Sequence, residues 1–212
     1  MNLVIFGPQG CGKGTQAKKL CAKFGLVHIE TGQIFREIAK EKTELGQFIY
    51  EMNEKKEMIP DDITMKILSE RLKEISDKIG IIIDSAPRTT GQIEPLEKML
   101  EKLARPIHKA ISITLPHEES LKRISKRFTC IMCRKQFVLG ESIKDLDNPC
   151  PDCGGLIAQR IDDTPDGIIK RLDTFQKVTV PVIEYYRKKN MLIEVDGTQN
   201  IDKVFEDIAS EL

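Results

Sequence analysis

Lys13 lies in Gly7-Pro8-Gln9-Gly10-Cys11-Gly12-Lys13-Gly14-Thr15, just after the apolar run 3–6 and just before a helical pattern. Glycines at this density let backbone amides turn inward around phosphate oxygens, and a helix opening behind them adds its partial positive charge. Lys13 is set to reach the β- and γ-phosphates of a nucleotide. Strand, glycine loop and helix in this order are the context such a motif requires. A phosphate cradle made by Gly10, Cys11, Gly12, Lys13, Gly14 and Thr15 is therefore expected. The hydroxyl that usually follows the lysine to ligate magnesium is displaced: Gly14 stands there, and Thr15 comes one residue later. Magnesium is then expected to be held mainly by phosphates and water.

A second group with chemical potential is Cys130-x-x-Cys133 with Cys150-x-x-Cys153, four of the 6 cysteines of the chain. Four thiolates at this spacing match a tetrahedral zinc site of the structural kind, with no position left open for catalysis. Disulfides, loose thiols and an iron–sulfur cluster are the other readings of the same residues. Zinc would stiffen a loop-rich segment that has little core of its own. Cys21 reads as core. Cys11 is either a somewhat reactive thiol at a helix mouth or a small residue that simply fits.

These groups need elements to position them. Five β-branched runs, 3–6, 27–29, 80–84, 110–115 and 192–195, are apolar on consecutive residues, as in parallel strands covered on both faces. Helical spacing separates them. Ala17, Leu20, Cys21 and Phe24 share one face; Ile63, Ile67, Leu68 and Leu72 point inward from a helix over 61–76; Ile93, Leu96, Leu100 and Leu103 mark another. Thr164-Pro165-Asp166 is a capped helix start, with the helix expected to run to about 189 and to bend near Pro181. Strands alternating with helices predict an α/β fold on a parallel sheet. Residues 31–59 carry helical segments without a strand and read as an insertion, while 130–155 are loop-rich.

Of 212 residues, 40% are apolar and 31% charged, an ordinary globular composition with ample core. Lys plus Arg and Asp plus Glu both number 33, so the formal net charge is zero. Chains that live on nucleic acid are usually basic, and base-stacking platforms need aromatics, which are 5% here with no Trp. No segment approaches the roughly 20 apolar residues of a membrane span, and the first residues lack the basic flank of a signal peptide. The expectation is a cytoplasmic monomer without nucleic-acid or membrane partners.

The Gly-Lys-Gly-Thr form of the loop is similar to that of nucleoside monophosphate kinases. Beyond it, the chain resembles the adenylate kinase family along nearly its whole length. Thr31-Gly32 with Arg36 resembles the family's Thr-Gly-x-x-x-Arg segment, and Asp84-Ser85-Ala86-Pro87-Arg88-Thr89 resembles its Asp-Gly-Phe-Pro-Arg-Thr signature. Gln92 stands where the family has the Gln that reads the adenine edge. Arg123 and Arg127 resemble two arginines that face phosphates. Arg160, Asp162-Asp163 and Arg171 resemble the lid hinge, and Val195-Asp196-Gly197-Thr198 resembles the end of the last strand. Some members carry a four-cysteine zinc lid, which 130–155 resembles.

The resemblance implies a three-layer P-loop kinase fold with a central five-stranded parallel sheet. It divides into a core (1–29, 60–126 and 161–212), a helical monophosphate-binding insertion (30–59) and a zinc-stapled lid (127–160). It implies reversible phosphoryl transfer from Mg-ATP to AMP, giving two ADP, with lid and insertion closing over the substrates. Lys13, Arg88, Arg123, Arg160 and Arg171 would stabilise the phosphoryl group in flight, and Asp84 would orient magnesium's water shell. ATP would also meet Arg123 and Arg127. AMP would meet Thr31, Arg36, Ile59, Arg88, Gln92, Arg160 and Arg171. The phosphate of AMP is itself the nucleophile, so no general base is expected from His28, His108 or His117, which read as surface or structural. Several departures fall on the acceptor side, besides Gln9 where the loop usually has Pro. Ser85 and Ala86 replace Gly and Phe, Gln33 replaces a common Asp, and Glu30 replaces a small residue, where it would either repel a phosphate or pair with an arginine. A kinase for UMP or CMP is the alternative reading. A zinc-knuckle nucleic-acid-binding ATPase is a further one, which salt-dependent oligonucleotide binding would favour.

Overall fold

The structure, a computed structural model, describes residues 1–55, 57–133, 135–140, 142–159 and 163–212. Five parallel strands form the central sheet: β1 (Asn2–Phe6), β2 (Val27–Glu30), β3 (Ile81–Asp84), β4 (Lys109–Thr114) and β8 (Leu192–Asp196), in the order β2-β3-β1-β4-β8. Each lies within a residue of its expected limits. Alternation along β1 splits the core in two. Val4 and Phe6 pack with helices α4 (Asp61–Lys73), α5 (Ile93–Lys102) and α8 (Val180–Lys188) on one face. Leu3 and Ile5 pack with α1 (Lys13–Phe24) and α9 (Ile201–Ser210) on the other. The result is three layers, helices on both faces of a buried sheet.

Helices α2 (Thr31–Ile38) and α3 (Glu44–Glu54) make the expected strandless insertion between β2 and α4. The last long helix begins as expected: Thr164 caps α7 (Pro165–Thr174) by accepting from the Gly167 amide. A π-turn over Phe175–Thr179 separates α7 from α8 just before Pro181. Proline has no amide hydrogen and crowds the preceding turn, and the wider π-turn accommodates it.

Three expectations are corrected. Helix α4 stops at Lys73 rather than 76, and its buried stripe is Thr64, Leu68 and Leu72, with Ile63 and Ile67 half-buried at its flank. Beyond its end, the buried Arg105 guanidinium donates to the carbonyls of Ile75 (2.8 Å), Ile79 (2.6 Å) and Ser76, fixing the chain as an irregular turn. The segment read as loop holds a small antiparallel sheet, β5 (Arg127–Cys130) between β6 (Gln136–Val138) and β7 (Ile157–Ala158). Strands this short carry too few residues to show a period. Two helices went unassigned: α9, and α6 (His117–Ser125), in which only Ser120 and Ile124 are buried.

Candidate active site

The chain leaves β1 toward β2 and leaves β3 toward β4, so strand direction of travel reverses between the neighbours β1 and β3. A crevice opens at the carboxyl ends of strands at such a point. The glycine loop lines one side. Gly7 has φ 153°, and a Cβ there would stand 2.5 Å from Cys11 Sγ and 2.7 Å from the Ile113 carbonyl. Gly12, at φ 89°, caps α1 from a left-handed conformation. The Cys11 amide donates to the Pro8 carbonyl (3.3 Å), and Lys13 Nζ folds back onto that oxygen (3.4 Å). No acidic residue occupies the first turn of α1, so its positive end is left for an anion. Thr15 is exposed on that turn, and Gly14 adjoins Asp84.

Helix α6 packs against Gly10, where a Cβ would touch Arg123 Cβ at 3.4 Å. The Arg123 guanidinium donates to Glu119 (3.0 Å) and to the Gly197 carbonyl (2.9 Å), which ties α6 to the turn after β8. Cys11 is buried, and burial pushes its thiol up against the lowering effect of Lys13.

Asp84 ends β3 on the floor of the crevice and is buried. Burial alone would raise its carboxyl. His28 (Nε2 3.4 Å from Oδ2), the charge of Lys13 and the Ser85 hydroxyl (2.9 Å) outweigh that and hold it below the usual range. It therefore stays ionised. The adjoining Ser85 sits at φ 69°, a left-handed conformation that suits the Gly usual in the resembled family. Ala86 is fully buried in the core, where a larger Phe is usual.

The opposite side is built of arginines. Arg88 is exposed to the crevice but surrounded by protein, and this desolvation lowers its pKa. Asp84 opposes the shift, while Arg171 and Arg36 add to it. Two further cations thus act on Arg88, a concentration that an anion would relieve. The Arg88 amide donates to Gln92 Oε1 (2.7 Å) and its carbonyl accepts from Thr179 (3.1 Å), so its backbone is held from both ends. Arg36 pairs with Glu30 (2.8 Å), the second of the two outcomes expected for that carboxylate. Thr31 donates to the Asp84 carbonyl (3.1 Å), and Ile59 is buried at the entrance to α4. Arg171 donates to Asp163 (2.6 Å). Arg127 grips the same carboxylate with two bonds (2.9 and 2.6 Å), so here it faces Asp163. Gln92 is only 2% exposed, with Nε2 donating to Asp61 (2.7 Å). Arg160 and Asp162 lie outside the described residues.

Sequence reasoning missed two of these residues. His28 was set aside as surface or structural, yet it contacts Asp84; its place two residues before Glu30 on a strand ending at the crevice was the available signal. Asp61, the first residue of α4, accepts from both Thr89 (2.7 Å) and Gln92, and no local signal marks so distant a pairing. His108 accepts from the Asn2 amide (3.0 Å) and His117 is exposed, as expected.

In the small sheet, the sulfurs of Cys130, Cys133, Cys150 and Cys153 all lie within 4.8 Å of one another. Cys130–Cys153 and Cys133–Cys150 approach to 3.5 and 3.6 Å, too long for disulfides. Four sulfurs about 2.3 Å from a tetrahedral zinc would be separated by about 3.8 Å, so the cluster fits that ion. Burial would raise the Cys130 thiol, but the amides of Cys133 and Met132, with the neighbouring thiols, hold it at about 6.

Comparisons with known proteins agree with this geometry. The family model for adenylate kinase matches residues 5–191. An adenylate kinase of Caldanaerobacter subterraneus is 39% identical across all of this chain and 96% of its own length. Those of Archaeoglobus fulgidus and Methanosarcina acetivorans are each 41% identical, across all of this chain and 98% of theirs.

Proposed function

The chain belongs to the adenylate kinase family, and from that premise we propose how it carries out reversible phosphoryl transfer between ATP and AMP to give two ADP. The observation that carries the assignment of roles is the place of Asp84 between two sets of cations: Lys13 acts on it, and it acts in turn on Arg88, which Arg36 and Arg171 also influence. Transfer needs a donor phosphate and an acceptor phosphate brought together with their negative charge offset, and little else.

In this reading, the amides from Gly10 to Thr15 and the Lys13 ammonium hold the ATP phosphates. Arg36 and Arg88 hold the phosphate of AMP, whose oxygen attacks in line. Arg123, Arg171 and Arg160 offset the charge spread over the transferring group, as planar guanidinium groups that stay protonated do well. Adenylate kinases use Mg2+ with ATP; when bound, it neutralises phosphate oxygens, and the ionised Asp84 suits its water shell. Gln92 would read adenine, oriented by its bond to Asp61.

Residues 127–160 would act as the lid over ATP, stapled by zinc on the four cysteines, and 30–59 would close over AMP. Zinc would add rigidity to a subdomain whose buried core, among the described residues, is small: Cys130, Phe137, Cys150 and Ile157, with Phe128 and Ile143 packed against them. Among the described residues, no helix is long and apolar enough to cross a membrane. A monomer working in the cytoplasm completes the reading.

The test is a coupled assay of ADP formation with Mg-ATP and a panel of nucleoside monophosphates. AMP should be the preferred acceptor by kcat/KM. Preference for UMP or CMP would move the acceptor assignment while leaving the chemistry, and no transfer to any of them would contradict it.

A further inference from the structure

The transfer chemistry makes no use of Glu30, yet this carboxylate sits among the acceptor-side groups. Glu30 ends β2 in register with Asp84 at the end of β3, so two acidic residues are neighbours at the rim of the sheet. His28, Lys13 and Ser85 offset the charge of Asp84. Among the described residues, Glu30 is paired with Arg36 through its Nη2 at 2.8 Å. The same guanidinium lies over Gly32, where a Cβ would stand 3.3 Å from Nη1. Arg36 is thus drawn back along the first turns of α2 toward the carboxylate. Gln33, in the same turn, bonds to Glu37 (2.9 Å). The Glu30 and Arg36 side chains are 25% and 44% exposed, so a dissolved anion can reach and exchange with the pair.

We propose that Glu30 is a positioning residue that sets acceptor affinity, by holding Arg36 and competing with the acceptor's phosphate for its guanidinium. This rests on the reading that Arg36 binds that phosphate. A phosphate that takes the Nη2 edge of Arg36 must displace the Glu30 oxygen bound there. This competition weakens binding of a nucleoside monophosphate. It leaves the ATP cradle untouched. The chain therefore sets acceptor affinity, with turnover left unchanged, through a residue outside the catalytic set.

The test varies AMP at saturating Mg-ATP for Glu30→Gln, Arg36→Ala and the double variant. Glu30→Gln should lower the KM for AMP about two- to fivefold, the range of a released partly exposed ion pair. Its kcat and KM for ATP should stay within about twofold, the signature of binding without transition-state change. The difference from the parent should narrow as salt screens the pair. Arg36→Ala should raise the KM for AMP, and in that background Glu30→Gln should have little further effect, because the two residues act as one unit. An unchanged KM in Glu30→Gln, with Arg36→Ala still impaired, overturns the proposal and leaves the role of Arg36 standing. An unchanged KM in Arg36→Ala overturns that role and the proposal with it. A Glu30→Gln effect that persists undiminished without Arg36 means direct repulsion and overturns the competition. A fall in kcat together with the melting temperature would mark a merely structural residue and overturn it as well.

Discussion

The two sides of the crevice are made of different material. On the proposed ATP side the backbone does the holding: Gly7 and Gly12 set the turn, α1 presents its amides, and Lys13 folds onto Pro8. On the proposed AMP side, side chains hold side chains: Glu30 holds Arg36, and Asp163 holds Arg171, while Gln92 and Thr179 fix the backbone of Arg88. A backbone cradle tolerates almost any neighbour but not a Cβ in the wrong place. A cradle of paired side chains tolerates small backbone shifts but responds to every change of partner. Donor affinity should accordingly be robust to single polar substitutions, and acceptor affinity should be tunable by them.

The sharpest way to break this contrast is Arg88→Lys. The lysine keeps the charge and loses the planar fork. If the acceptor side works through guanidinium geometry, kcat/KM for AMP should fall about 10²–10³-fold, the cost of losing one preorganised donor, with the KM for ATP little changed. A loss shared equally by both substrates would mean the two sides are not separate.

Asp163→Asn should have the next largest effect. The Asp163 side chain is buried and binds Arg127 from the small sheet and Arg171 from α7. Removing its charge leaves two crowded cations and should cost about 3 kcal/mol in denaturant unfolding. The pH dependence has a definite sign. Burial would raise the Asp163 carboxyl, but Arg127 and Arg171 hold it below its ordinary value. Its contribution is therefore present above the unfolded value of about 3.9 and is lost as pH falls through the depressed folded value. Asp163→Asn should flatten the acid limb of the stability profile below about pH 4. A profile parallel to that of the parent would contradict the pairing.

Legibility follows the same division. The phosphate loop was readable because a contiguous motif specifies a backbone shape, and Gly7, Gly12 and Lys13 sit in one stretch. The central strands β1, β3 and β4 were readable because they are buried on both faces and so apolar at consecutive positions, while the edge strands β2 and β8 are only partly buried. The partners of the acceptor arginines come from residues far apart in the chain, as in Asp61 with Gln92 or Thr179 with Arg88, and periodicity carries no trace of them. Glu30 was visible as an anomaly, but only the structure chooses pairing over repulsion. The small sheet was hidden for another reason. Its strands have 2 to 4 residues, and its cohesion rests on cysteines whose spacing speaks of a metal rather than of strands.

That small sheet gives the smallest expected effect. Cys150→Ser should abolish stoichiometric zinc and lower the melting temperature by only a few degrees, on the order of a 1–2 kcal/mol change, because the central sheet has its own core. Metal analysis with a thermal melt checks both. Unchanged zinc content would remove the staple from the account.

The central claim is that a donor cradle and an acceptor cradle face each other across one crevice. The most direct test is the dissociation constant of a two-substrate analogue, two adenosines joined through a phosphate chain, against that of ATP alone. If both cradles are engaged at once, the analogue should bind more tightly by about 10²-fold or more, the gain of linking two sites. Equal affinities would mean that the arginines opposite Lys13 do not bind a second nucleotide phosphate.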